Sequence, residues 1–280
     1  MVQAARVRGL AELTRPGNAI VAGVLTFIGA FVAGGVATHQ FEAAAAAVAT
    51  VLAAGAGNAI NDYFDRDIDR INAPDRPIPR GAVSPRGALS LSVVLFVVAV
   101  VLVASLPLAA IAIAVVNLVA LVTYTQLFKG LPGVGNALVA YLGGSTFLFG
   151  AAAVGSMRTV VVLFLLSAAS TLTREIIKDV EDVDGDREEG LNTLPIAVGE
   201  RRSLWVAAVL LVVAVAASPV PYLQATFGVA YLVFVLPADA VMLYAARRSF
   251  VDPTAGQRLL KYGMYLAAAA FIVGRVAATV

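Results

Sequence analysis

Residues 43–69 read AAAAAVATVLAAGAGNAINDYFDRDID. An apolar run passes, with no intervening loop, into a segment that places Asp62, Asp65, Asp67 and Asp69 within eight residues. A helix that crosses a bilayer needs about 20 mainly apolar residues. Acids that begin inside such a run are costly and count as functional candidates. The stretch therefore reads as one span of an all-α polytopic membrane protein that carries its chemistry at one end.

The remainder of the chain agrees. Of 280 residues, 60% are hydrophobic and 14% charged, with a mean hydropathy of +0.88, too apolar for a soluble domain of this length. The net charge is +2 and there is no cysteine, which excludes disulfides, thiolate catalysis, Fe–S clusters and Cys-ligated zinc. One histidine, His39, cannot furnish a His-rich metal site and reads as a solvated loop residue. No P-loop and no nucleophile-elbow pattern is present. The segment from Met1 to Arg15 is basic but not apolar, unlike a cleaved signal peptide.

Division at charges and Pro/Gly clusters gives nine candidate spans in a single domain, 1–280. They lie near 17–36, 43–62, 87–106, 108–127, 134–154, 159–180, 202–220, 223–245 and 256–278. With nine spans, 18 of the 20 Lys and Arg fall on the face shared by the N-terminus and the loops after even-numbered spans. Only Arg158 and Arg275 fall on the other. The positive-inside rule makes the first face cytoplasmic and puts the C-terminus outside.

Acids are more concentrated still, since 13 of 18 lie between Asp62 and Asp75 or between Glu175 and Glu189. Both stretches follow even-numbered spans and so meet the cytoplasmic face. They also share a register. Asn58, Asp62, Asp65 and Asp69 are spaced four, three and four residues apart, and so are Glu175, Asp179, Asp182 and Asp186, 117 positions later. This register suggests two parallel four-helix repeats, spans two to five and six to nine, behind an added first span.

Four-three-four spacing places side chains on one helix face, with Asn61 one turn before Asp65. Such crowded carboxylates repel unless a cation or protons neutralise them. Mg2+ suits these oxygen ligands and commonly binds a few carboxylates together with substrate phosphates. Two clusters facing each other would hold a diphosphate between bridging Mg2+ ions. The plainer alternative, a solvated acidic loop, fits less well, because the acids are periodic and begin within a span. A calcium loop from Asp182 is excluded by Thr193, which stands where a bidentate Glu belongs. Arg15, Lys129, Arg174 and Lys178 fall at cytoplasmic span ends, within reach of phosphate oxygens or as snorkelling anchors. Asp239, within span eight beside Pro237, either lines a cavity or pairs with a helix neighbour.

Asn61 to Asp69 resembles the NDxxDxxxD motif of the UbiA superfamily of intramembrane prenyltransferases, and Asp182 to Asp186 resembles its second, DxxxD, motif. The resemblance covers essentially the whole chain. It implies nine transmembrane helices in a helical barrel around a central cavity that opens sideways to lipid. Arg70-Ile71-Asn72 through Arg76-Pro77-Ile78-Pro79, and Arg174 to Asp179 through Thr193-Leu194-Pro195-Ile196, most resemble the branch that builds archaeal ether lipids. That branch moves a geranylgeranyl group to the hydroxyl of geranylgeranylglyceryl phosphate.

The resemblance carries Mg2+-diphosphate roles to Asn58, Asp62, Asp65, Asp69, Asp182 and Asp186. It gives a diphosphate contact to Lys129 and supporting roles to Asp179, Lys178 and Arg15. The implied partners are a lipid-soluble prenyl diphosphate donor, a lipid acceptor and the cell membrane, not nucleic acid. An aromatic or tetrapyrrole acceptor, as in quinone, haem or chlorophyll synthesis, would use the same Asp motifs. A transporter would instead place ionisable groups near the bilayer midplane, where only Asp239 lies.

Overall fold

In hydrocarbon every backbone N–H and C=O must be satisfied within its own segment, so long Ala-, Val- and Leu-rich runs become helices. The computed structural model describes residues 2–128 and 130–279, and among them there is no strand. The helices are α1 (Val2–Leu13), α2 (Pro16–Val32), α3 (Gln40–Phe64), α4 (Arg66–Asn72), α5 (Pro85–Ala104), α6 (Leu108–Thr123) and α7 (Val134–Ala153). There follow α8 (Val161–Glu181), α9 (Val183–Glu188), α10 (Leu194–Val198), α11 (Glu200–Ala217), α12 (Val220–Leu223), α13 (Val229–Ser249) and α14 (Pro253–Thr279). Proline marks several starts, because its missing N–H costs nothing in a first turn. Pro85 opens α5 behind Ser84, whose hydroxyl accepts from Gly87 N–H at 3.1 Å.

Among the described residues, seven helices are long and apolar enough to cross a membrane, and an eighth span arises if Arg6–Leu13 and Pro16–Val32, bent by 46°, are taken as one. The predicted span at 108–127 corresponds to α6, an apolar helix of 16 residues that runs directly into a π-helical turn, Tyr124–Phe128. Two predicted boundaries move. α2 stops at Val32, before Gly34 with φ of 84°, and α13 starts at Val229, because Pro219 and Pro221 lie in or beside the short α12 and Ala225 turns left-handed at φ 56°.

Two closed rings of four helices result. α3, α5, α6 and α7 pack in sequence and close through α3 and α7, while α8, α11, α13 and α14 close through α8 and α14. α7 joins α8, and α2 packs on α3, α7 and α14, bridging the rings. The α2–α7 crossing brings backbones together. A Cβ on Gly150 would stand 1.8 Å from the Thr26 carbonyl oxygen, and one on Gly29 would stand 2.2 Å from that of Phe147. Small residues allow this approach, and in lipid such close packing is what holds helices together. The residues that end the two helices also meet, since Val154 packs with Ala30, Ala33 and Val36 and abuts Gly35, so α2 and α7 run in the same direction.

Candidate active site

The first acidic cluster sits on a broken helix, not on one continuous stripe. α3 ends at Asp65, whose φ and ψ of −82° and 0° bend the chain into α4. The hydrogen bonds bridge the bend, since Asp65 N–H donates to Asn61 O and Asp69 N–H donates to Asp65 O. Asp62 and Asp69 are buried, at 4% and 5% exposure. Buried charges must be paired, and both are. Arg15 Nη2 lies 2.7 Å from Asp62 Oδ1. Arg76 Nη1 lies 2.7 Å from each Asp69 oxygen and 3.7 Å from Asp62 Oδ1. Burial alone would lower the Arg76 pKa, but the bond to Asp69 and the charges of Asp62 and Asp65 outweigh it and hold the guanidinium above its ordinary value.

Asn58 bonds next to this pairing, its Nδ2 donating at 3.0 Å to the carbonyl of Thr14, the residue before Arg15. That bond fixes the chain entering α2, where Arg15 takes φ 46° and ψ 63°. A non-glycine residue in that region is strained. The strain is borne at the residue whose side chain reaches Asp62.

The second cluster repeats the joint. Asp182 stands between α8 and α9 as Asp65 stands between α3 and α4, with φ and ψ of −92° and 5°, and Asp186 N–H donates to Asp182 O. Lys178 Nζ is 3.0 Å from Asp182 Oδ2, and Arg174 Nη1 is 2.5 Å from Glu175 Oε1. Asp179 Oδ2 accepts from Asn136 Nδ2 at 2.8 Å. Burial pushes the Asp186 carboxyl above the usual carboxylate range, the Thr193 hydroxyl opposes this, and the charge of Asp182 adds to the rise. Lys129 lies outside the described residues. Its neighbour Gly130 accepts from Asn192 N–H at 3.1 Å, which ties that loop to the segment following Asp186.

Both clusters lie at the same end of the molecule. Arg15, at the start of α2, meets Asp62 near the end of α3, and Asn136, at the start of α7, meets Asp179 near the end of α8. Because α2 and α7 run in the same direction, the two starts share one end. Arg275, near the end of α14, lies at the opposite end beside Gly34.

The donor set is oxygen throughout, which suits Mg2+. Among the described residues, however, no three carboxylates approach closely enough to hold a metal ion by themselves. The seven residues read from the sequence as ligands are thus not gathered into one cage. A Mg2+ ion here would take one or two carboxylates and complete its shell with phosphate oxygens and water. The two residues that sequence spacing does not find are Arg76, seven positions past Asp69 in an irregular segment, and Asn136, one helix away from its partner.

A paired-acid site at one end of a bundle of membrane helices has a counterpart among known proteins. A profile of the UbiA prenyltransferase family matches residues 22–271, and the chain belongs to that family of prenyl-transferring enzymes. Within it, the chain is 68% identical to the digeranylgeranylglyceryl phosphate synthase of Natronomonas pharaonis, over 97% of this chain and 98% of that one. It is 64% identical to the enzyme of the same name from Halobacterium salinarum, over 96% and 98%. A solved structure of a digeranylgeranylglyceryl phosphate synthase superposes with a TM-score of 0.81 at 36% identity, covering 97% of this chain and 99% of the other. A UbiA homologue from Archaeoglobus fulgidus, solved with GPP and Mg2+, has a TM-score of 0.72 at 17% identity and shares the fold.

Proposed function

We propose that this protein transfers a geranylgeranyl group from geranylgeranyl diphosphate to the free hydroxyl of geranylgeranylglyceryl phosphate, forming the second ether bond of an archaeal membrane lipid. The observation that carries the donor chemistry is the pair of acid-and-cation clusters at one end of an otherwise apolar bundle. The choice of acceptor is supported by near full-length identity to synthases of that name.

In this reading Asp62, Asp65 and Asp69, with Asn58 and Asn61 beside them, and Asp179, Asp182 and Asp186 hold Mg2+ and the diphosphate. Arg15, Arg76, Lys129, Arg174 and Lys178 take phosphate oxygens. Mg2+, when bound, supplies neutralisation of the charge that grows on the diphosphate as its bond to the first prenyl carbon breaks. The cations reinforce that electrostatic term, which usually dominates such sites. The apolar helices hold the isoprenoid tail and keep water from the allylic carbon. The acceptor hydroxyl bonds to that carbon and gives up its proton to a cluster carboxylate, since the one histidine, His39, begins α3 at the other end.

Nine spans, with α6 and its π turn as the fourth, fit this site with the N-terminus and both clusters in the cytoplasm and the C-terminus outside. The matching joints at Asp65 and Asp182 and the two four-helix rings support an origin in two repeats. The test is incubation of the purified protein with geranylgeranyl diphosphate and Mg2+, offering geranylgeranylglyceryl phosphate or 4-hydroxybenzoate. A Mg2+-dependent diether phosphate, absent with Asp62→Ala or Asp182→Ala, is expected by mass spectrometry. A prenylated aromatic product alone would move the function to quinone synthesis.

A further inference from the structure

The ends of α11, α13 and α14 that lie beside the second acidic cluster carry the cations Arg201, Arg202, Arg247, Arg248, Arg258 and Lys261 against the acids Glu200 and Asp252. One apolar cluster holds these ends together, in which Leu204, Ala246 and Leu260 pack with Ile176, Ile177 and Val180 of α8. The rings of Trp205 and Phe250 also meet there, at 5.1 Å. Toward the opposite end α11 and α13 are tied again, where Asp239 accepts from the Ser218 hydroxyl at 2.5 Å. Asp252 pairs with Arg248 at 3.3 Å. Among the described residues no carboxylate lies within ion-pair distance of Arg201, Arg202, Arg247 or Arg258, and all four are exposed.

The outward stripe follows one order on all three helices. On α11, Arg201 and Arg202 are followed at helical spacing by Trp205, 58% exposed, and then by Val209 and Val213. On α13, read back from its end, Arg247 and Arg248 give way to Tyr244, then Leu236 and Val233. On α14, Arg258 is followed by Tyr262 and Tyr265, then Leu266. Cation, aromatic ring and aliphatic chain succeed one another as headgroup, interface and hydrocarbon do in a leaflet. Anchoring alone does not call for this density, because the outward stripe of α5 has Arg86 and runs on through Val93, Val97 and Val101 without a ring. Like charges on neighbouring helix positions repel. Two of these cations also stand in the first turn of α11, where the helix dipole disfavours them. An anion shared among the three helix ends relieves both costs.

We propose that this face holds the phosphate headgroup of an anionic membrane lipid. Arg201, Arg202, Arg247 and Arg258 donate to its phosphate oxygens, and Trp205, Tyr244 and Tyr262 lie at the level of its glycerol. Basic recesses between membrane helices take anionic headgroups in this way. The surface is separate from the diphosphate clusters, and its occupancy does not depend on which acceptor the enzyme uses.

Trp205 is the one tryptophan of the chain, so its fluorescence reports the lipid beside this site. The test is quenching of that fluorescence in the full-length protein in phosphatidylcholine vesicles. Phosphatidylglycerol or phosphatidylcholine, each brominated on its acyl chains, is added at equal mole fraction. Brominated phosphatidylglycerol is expected to be preferred by about tenfold. In Arg201→Gln/Arg202→Gln/Arg247→Gln that preference is expected to vanish, and Arg201→Gln/Arg202→Gln serves should the triple variant not fold. Arg86→Gln, on α5, is expected to keep the wild-type preference. Equal quenching by the two lipids in the wild type overturns the proposal, as does a preference that survives in the arginine variants or falls as far in Arg86→Gln. Absence of quenching by either lipid overturns it too, since the face is then covered by a second copy or another protein.

Discussion

The guanidinium of Arg76 spans Asp69 and Asp62, at 2.7 Å from both oxygens of the first and 3.7 Å from the nearer oxygen of the second. One cation thereby neutralises two buried acids on either side of the α3–α4 bend. Removing one partner of a buried pair leaves an uncompensated charge. Arg76 is itself 37% exposed, so solvent screens part of that loss. Arg76→Ala is expected to destabilise the protein by about 1–2 kcal/mol and to raise KM for the prenyl diphosphate more than it lowers kcat. Unchanged KM would remove Arg76 from the diphosphate site.

Arg15 sets a backbone cost against a side-chain gain. Glycine adopts φ 46° freely, whereas alanine does not. Arg15→Gly should therefore be more stable than Arg15→Ala by about 1 kcal/mol, while both lose the ion pair to Asp62 and fall equally in turnover. Thermal unfolding in detergent beside a rate assay separates the two effects. A difference in rate but not in stability would contradict this account.

For Asp186 the sign is set by burial. Its pKa is raised in the folded state, so its contribution to the stability of the metal-free protein is full below the unfolded-state pKa and is lost as pH rises through the folded one. Metal binding requires the carboxylate and releases the proton. Mg2+ affinity should accordingly strengthen as pH rises through the raised pKa of this carboxyl, with measurable proton release in buffers of differing ionisation enthalpy. Asp186→Asn should remove part of that pH dependence, and if it does not, Asp186 is no ligand.

Gly150 meets backbone, not a side chain that could swing away. A methyl group there would lie 1.8 Å from the Thr26 carbonyl oxygen, so Gly150→Ala must force α2 and α7 apart. Overpacking of this kind costs about 1–3 kcal/mol. The variant is expected to lose several degrees of thermal stability in detergent. Gly185→Ala, where nothing lies within 4 Å, should not.

The absence of cysteine makes orientation measurable. Ser156→Cys, exposed after α7, should react in intact cells with a maleimide that cannot cross the membrane, and Glu188→Cys, exposed at the end of α9, should react only after lysis. The reverse pattern would invert the proposed orientation.

The sequence made visible what is periodic or strongly patterned. The four-three-four spacing and its recurrence 117 positions later led to the two acidic joints, and the apolar runs led to the long helices. What it did not reveal depends on geometry between elements. Asn58 shares the spacing of the acids yet turns to Thr14, because the chain entering α2 passes there. Arg76 follows in an irregular segment without a helical repeat, so no periodicity connects it to Asp62. Asn136 reaches Asp179 only because α7 and α8 pack antiparallel. The ends of α2 and α13 moved where Gly34 and Ala225 take positive φ, which hydropathy does not register.

The bridging position of α2 governs how this protein must be assembled. α2 leaves the ribosome before any other long helix, and N-terminal parts of a chain generally begin to fold first. Two of its three neighbours, however, are α7 and α14, which are synthesised later, α14 last of all. Its small-residue face toward α7 stays uncovered until α7 has been made, and its contact with α14 forms last. A nascent chain arrested before α14 would carry every acidic residue of the site and still lack the helix that closes the ring of α8, α11 and α13. Closure of the helical frame therefore comes at the end of synthesis, with its last helix.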